Sequence, residues 1–161
     1  MDTADTMPDR VAWAREASSS QPVSVLDRQD RRLIRQLLPR LVTMRLQLSL
    51  RGYGPVQAKL AERLADVPIY TPDDAALRRA ARAGRIVGGL GRRMPFDAAC
   101  LVQSLALWSF LREEGLPVQV QIGVAKANGL AAHAWVNMYG EPISDSPEAL
   151  ARFSRFDRIG S

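Results

Sequence analysis

The feature that most narrows the fold is a change of hydrophobic period near Pro117. Before it, apolar residues recur at three- and four-residue steps, the spacing of one helix face. After it, Val118, Val120, Ile122 and Val124 alternate with Gln119, Gln121 and Gly123, the two-residue period of a half-buried strand. A chain that runs through helices first and strands afterwards folds as α+β, its helices packed on a small antiparallel meander.

The first helix is expected over residues 26 or 27 to 50. Leu33, Leu37, Leu41, Met44 and Leu48 form its stripe, and Ile34, Leu38, Val42 and Leu46 widen it. Pro39 inside the pattern lacks an N–H and should kink or split the helix. A second helix follows over residues 55–65, with Val56, Leu60 and Leu64 in register. Thr71-Pro72-Asp73-Asp74 reads as a start signal, with Thr71 as N-cap and Pro72 at the first helical position. This third helix should close at Gly88-Gly89, after a run of arginines that reads as a solvated face. A glycine-rich basic connection, Gly88 to Arg93, then leads to a fourth helix over residues 97–114. Its inner stripe is Leu101, Leu105, Trp108 and Leu111 or Arg112, and Gly115 and Pro117 stop it.

A second strand is expected over residues 132–139, with Ala134, Val136 and Met138 on one face and His133, Trp135, Asn137 and Tyr139 on the other. Lys126-Ala127-Asn128-Gly129 is the turn before it. A short third strand over 142–145 and a terminal helix over 147–153 with a loose end complete the pattern. Residues 1–23, with Ser18-Ser19-Ser20-Gln21-Pro22, read as a flexible tail. Residues 24–161 read as one domain: a helical half over 24–93 and a half with the fourth helix and the strands over 94–161.

The chemistry-bearing residues are few. The chain has one cysteine, so no internal disulfide, which fits a reducing compartment. With one histidine besides, a protein-ligated zinc site has too few ligands, and no metal or other cofactor is expected. The acidic start Met1-Asp2-Thr3-Ala4-Asp5 is no secretory signal. No segment approaches the roughly 18 apolar residues of a membrane span. A cytoplasmic location without membrane insertion is the expectation. The net charge of +5 fits an acidic partner, but scattered arginines without interleaved aromatics argue against nucleic acid.

Cys100 falls at the start of the fourth helix, behind Asp97 as a candidate N-cap. There the helix dipole and free N–H groups favour a thiolate, the nucleophilic form. The stretch taken alone reads first as a small buried hydrophobe and only second as a nucleophile. His133 on the second strand and Asp145 at the end of the third change the reading. A thiol of pKa about 8.5 needs a base beside it. An imidazole can supply that and protonate a leaving amine, and a carboxylate can fix the imidazole's tautomer. A hairpin turning at Gly140-Glu141 can make His133 and Asp145 neighbours.

Five blocks frame these residues. They are Cys100-Leu101-Val102-Gln103-Ser104-Leu105-Ala106-Leu107-Trp108, Gly115-Leu116-Pro117, Ile122-Gly123-Val124, Ala132-His133-Ala134-Trp135-Val136 and Gly140-Glu141-Pro142-Ile143-Ser144-Asp145. Together they resemble the lasso-peptide leader peptidases, the peptidase half of the lasso-peptide biosynthesis B proteins, in the transglutaminase-like superfamily. The resemblance implies a papain-like cysteine peptidase that cuts the leader from a ribosomally made precursor peptide. Cys100 would be the nucleophile, His133 the base and acid, and Asp145 the orienting carboxylate. Gln103 or Trp135 would be candidates for an oxyanion or substrate contact beside the Cys100 N–H. Gln103 stands where the family often has a basic residue, and Asn137 where it often has an acid.

Family members occur fused to a leader-recognition domain or as split pairs. The short tail here leaves no room for such a domain, which takes about 80 residues. The resemblance therefore implies a stand-alone peptidase working with a separate leader-recognition protein. The precursor leader would be its substrate and an ATP-dependent macrolactam synthetase a further neighbour. An acyl or amide transferase with the same acyl-enzyme and a non-catalytic precursor-binding module are the alternatives.

Overall fold

The computed structural model describes residues 26–94, 100–125, 131–145 and 147–159. Helices α1 (Arg28–Arg51), α2 (Tyr53–Leu64), α3 (Asp74–Gly91) and α4 (Cys100–Glu113) come first. Strands β1 (Val118–Ala125), β2 (Ala131–Met138) and β3 (Glu141–Pro142) follow, then a single-turn helix α5 (Pro147–Leu150) and strand β4 (Ser154–Ile159). The fold is α+β, with helices segregated before an antiparallel sheet of order β3-β2-β1-β4. The expected tail, the Asp97 cap and the turn at 126–129 lie outside the described residues.

α1 starts at a capping box: the Asp30 N–H donates to Asp27 Oδ1 at 2.8 Å, and the Asp27 N–H donates to Asp30 Oδ2 at 3.1 Å. Arg82 of α3 pairs with both carboxylates and ties that end down. The helix runs without a break through Pro39, contrary to a split there. Arg35 and Pro39 both face solvent, so the carbonyl that loses its donor can be hydrated. Leu33, Leu37, Leu41 and Met44 are buried as the stripe requires. Leu38, Val42 and Leu46 do not widen it: they are exposed, as is Leu50, because α2, α3 and α4 cover only one side of α1.

α3 departs from expectation at both ends. Its N-cap is Asp73, not Thr71, whose carboxylate accepts the Ala76 N–H at 2.8 Å. A carboxylate also suits the positive end of the dipole. The helix passes through Gly88-Gly89 to Gly91. Packing overrides the glycines' weak propensity there: Val87 is fully buried and Leu90 packs on the core.

α4 is the centre of the molecule, touching α1, α2, α3, β1 and β2. From Ser104 to Arg112 every residue is buried, so the helix is wrapped on all sides and not along one stripe. The Trp108 Nε1–H donates to the Val118 carbonyl at 3.1 Å, linking the helix to the first residue of β1. β1 and β2 pair from Val118↔Met138 to Ala125↔Ala131. Val118, Val120, Val136 and Met138 thereby share the face turned to the helices.

The chain end is the largest correction. The terminal helix stops at Leu150, not Phe153, and residues 154–159 form β4 against β1. β1 would otherwise offer an unpaired edge, and β4 satisfies its backbone groups. The third strand is also shorter than expected, two residues, because the chain leaves the sheet after Pro142 toward α3. One bond persists past its end, from the Ile143 N–H to the Val136 carbonyl at 2.8 Å.

Candidate active site

The site lies where the first turn of α4 meets an uncovered part of β2. The backbone groups of Ala134 and Val136 turn away from β1: the Val136 carbonyl accepts from Ile143, and the Ala134 carbonyl accepts the Ser104 hydroxyl at 2.9 Å. β3 pairs only with Asn137 and Met138, so no strand covers the edge beside Ala134. α4 covers it instead. Ser104, one turn beyond Cys100 and buried, pins the helix there, and the Ala134 N–H reaches the Cys100 sulfur.

The structure brings Cys100, His133 and Asp145 together. His133 Nε2 is 3.1 Å from Asp145 Oδ1, and Asp145 Oδ2 accepts the Ser144 hydroxyl at 2.9 Å. That bond occupies Nε2 and leaves Nδ1 for the thiol, which also bonds the imidazole side chain. The ring packs against two aromatics that also touch each other. Trp135 stacks at 6.0 Å between centroids with planes 20° apart, and Phe153 lies at 5.3 Å. Arg152 sits over the far ring, 4.9 Å from the Phe153 centroid.

Electrostatics favour the ionised pair. Burial pushes the Cys100 thiol up, but bonds from the His133 side chain and the Ala134 and Leu101 N–H groups, with the His133 charge, outweigh it and hold the thiol below its ordinary value. His133 is raised to about 9, first by its bond to Asp145 and then by its bond to Cys100, against the opposing effect of burial. An imidazolium beside a thiol of depressed pKa is a nucleophile with its proton donor already in place. His133 and Asp145 side chains keep about a quarter of their surface exposed (26% each), so the pair is open to a substrate.

Gln103 and Trp135 are placed differently. The Gln103 amide lies directly against Gly91 at the end of α3. Trp135 is 2% exposed, its indole enclosed by His133 and Phe153, which makes it a support for the imidazole ring and not a surface for substrate. Asn137 is buried beside Pro142, and its Oδ1 has no hydrogen-bond partner among the described residues. Sequence reasoning missed Ser104, Ser144 and Phe153. Ser104 had a signal: a hydroxyl inside an otherwise apolar buried helix must find an acceptor.

Among the described residues no group of three or more His, Cys, Asp or Glu side chains could hold a metal ion, and no helix is long and apolar enough to cross a membrane. A family model described as the transglutaminase-like superfamily matches residues 40–157, from the middle of α1 into β4. No curated protein and no solved structure matches the chain.

Proposed function

Since the chain belongs to the transglutaminase-like superfamily, whose general kind is papain-like peptidase or transferase chemistry on a cysteine, we propose that it is a cysteine peptidase that removes the leader from a lasso-peptide precursor. The observation that carries this reading is the placement of one imidazole between the Cys100 thiol and the Asp145 carboxylate, 3.1 Å from the latter.

In the proposed reaction the Cys100 thiolate attacks the scissile carbonyl carbon, and the carbonyl electrons move onto oxygen. The Cys100 backbone N–H is the proposed donor to that oxyanion. Collapse breaks the C–N bond, and the His133 imidazolium gives its Nδ1 proton to the departing amine. A thioester on Cys100 remains. Neutral His133 then takes a proton from water as it attacks, and the second collapse releases the carboxylate product and restores the thiolate–imidazolium pair. Asp145 holds the ring throughout, stabilising its charged form. Resolution of the same thioester by an amine would make the protein a transferase.

The reading includes a separate leader-recognition protein. We place its contact on the outer face of α1, where Leu38, Val42, Leu46 and Leu50 stand exposed at four-residue steps, a ridge suited to another helix. Arg28, Arg31, Arg32 and Arg35 are exposed on the preceding turns and form no ion pair among the described residues, so the matching surface would be acidic. The test incubates the protein with a precursor peptide, with and without that partner, and weighs the products. Cleavage by addition of one water, lost in Cys100→Ala, supports the reading. Cleavage retained in Cys100→Ala contradicts it, and product heavier by an added amine identifies a transferase.

A further inference from the structure

One face of α3 touches both α4 and the segment that leads to Asp145. Gly84 and Gly91 are seven residues apart, about two turns, and so share that face. Gly91 backs onto the Gln103 side chain of α4. Gly84 meets the segment that leads to Asp145: a Cβ there would lie 2.7 Å from the Ile143 carbonyl oxygen, 3.2 Å from its carbonyl carbon and 3.1 Å from its Cγ2. Ile143 is buried and bonded through its N–H to Val136, so the segment is gripped from both sides. Gly88, on the next turn of the same helix, meets only the flexible end of Arg92, at 3.7 Å.

We propose that Gly84 is a positioning residue: the close approach it permits between α3 and Ile143 seats the 143–145 segment so that Asp145 reaches His133. A methyl group at position 84 meets backbone, which must retreat by about 0.7 Å to reach ordinary contact at 3.4 Å. The His133–Asp145 bond, at 3.1 Å, is already near the long end of its range and does not survive such a retreat. The catalytic consequence rests on the peptidase reading, but the geometry can be tested without substrate.

The chain has a single histidine, so its imidazole gives one NMR titration. Among the described residues the charged and titratable groups around that ring are Asp145 from the segment after β3, Cys100 from α4 and, across Phe153, Arg152. The expected midpoint is about 9 in the unaltered protein. In Gly84→Ala it falls by at least about one unit toward the ordinary value, and kcat/KM on a precursor peptide falls at least about tenfold. Gly88→Ala leaves both unchanged. A folded Gly84→Ala protein with an unchanged midpoint overturns the proposal, whether or not cleavage is lost. A lowered midpoint in a protein that cleaves no peptide even when unaltered keeps the positioning role and removes the peptidase reading. If Gly84→Ala does not fold, Ile143→Ala, which deletes the Cγ2 contact, decides: a smaller fall supports the proposal and no fall overturns it.

Discussion

The two ends of α4 meet polar partners in opposite ways. At the C-terminal end Arg112, buried and at the negative pole of the helix, donates to the Val67 carbonyl at 2.6 Å and the Leu64 carbonyl at 3.4 Å. Glu113 pairs with Arg40 and Arg63, and Glu114 with Arg79. These contacts close off backbone groups and fix helices to one another. At the N-terminal end the partners of Cys100 are an imidazole and two N–H groups, and their effect is to stabilise a reactive anion. One end holds the molecule together and the other favours the ionised thiol on which the proposed chemistry depends. Stability is therefore separable from reactivity at the C-terminal end of this helix, where substitutions should move stability and spare the chemistry.

The largest expected effect is at the reactive end. His133→Ala should lower kcat/KM by about 10²- to 10⁴-fold, measured by peptide cleavage, and should lower the melting temperature more at pH 6 than at pH 9.5. Asp145→Asn should cost less, about 10- to 100-fold, and should carry a pH signature. In the unaltered protein kcat/KM should follow a bell. The acid limb reports the thiol, lowered from its ordinary value, and the alkaline limb near 9 reports proton loss from His133. Asp145 is the largest cause of the raised imidazole value, so its loss should pull the alkaline limb down toward the ordinary 6.5. Linkage has the same sign: a histidine raised from 6.5 to about 9 on folding adds stability below pH 6.5, and that contribution is lost as pH rises through about 9. Melting curves at pH 6 and pH 9.5 should differ less in Asp145→Asn than in the unaltered protein.

At the structural end the effects should be on stability alone. Arg112→Ala leaves two carbonyls without a side-chain donor and should cost roughly 1–3 kcal/mol in denaturant unfolding, with the alkaline limb unmoved. Arg63→Ala removes one exposed partner of Glu113, which keeps Arg40, and should cost less than about 1 kcal/mol. A shift of the alkaline limb in Arg112→Ala would break the separation between the two ends.

Much of this division was legible in the sequence, because it follows from period and residue type. The switch near Pro117 marks helices before strands, and the buried stripe Leu33, Leu37, Leu41 and Met44 is where its spacing puts it. Cys100, His133 and Asp145 could be singled out because each is a scarce or strategically placed polar group. β4 was not legible: the need for it lies on β1, whose outer edge lacks a partner until residues 154–159 arrive. The exposed row on α1 was equally hidden, since hydrophobicity marks Leu38 and Leu46 as core, and only the placement of the neighbouring helices leaves them uncovered. Trp135 looked like a donor because indole N–H groups are, but its position on β2 puts the ring under His133. Gln103 lies against Gly91 because α3 runs on to that residue, past the Gly88-Gly89 stop expected from the sequence.

The ionised thiol is the centre of the proposed chemistry, and the lone cysteine lets it be measured directly. The rate of Cys100 alkylation by iodoacetamide is followed against pH in the unaltered protein and in His133→Ala. The predicted result is a thiolate that forms below the ordinary thiol range, and a midpoint that moves up when the imidazole is removed. A midpoint at or above the ordinary range, unchanged in His133→Ala, would contradict it.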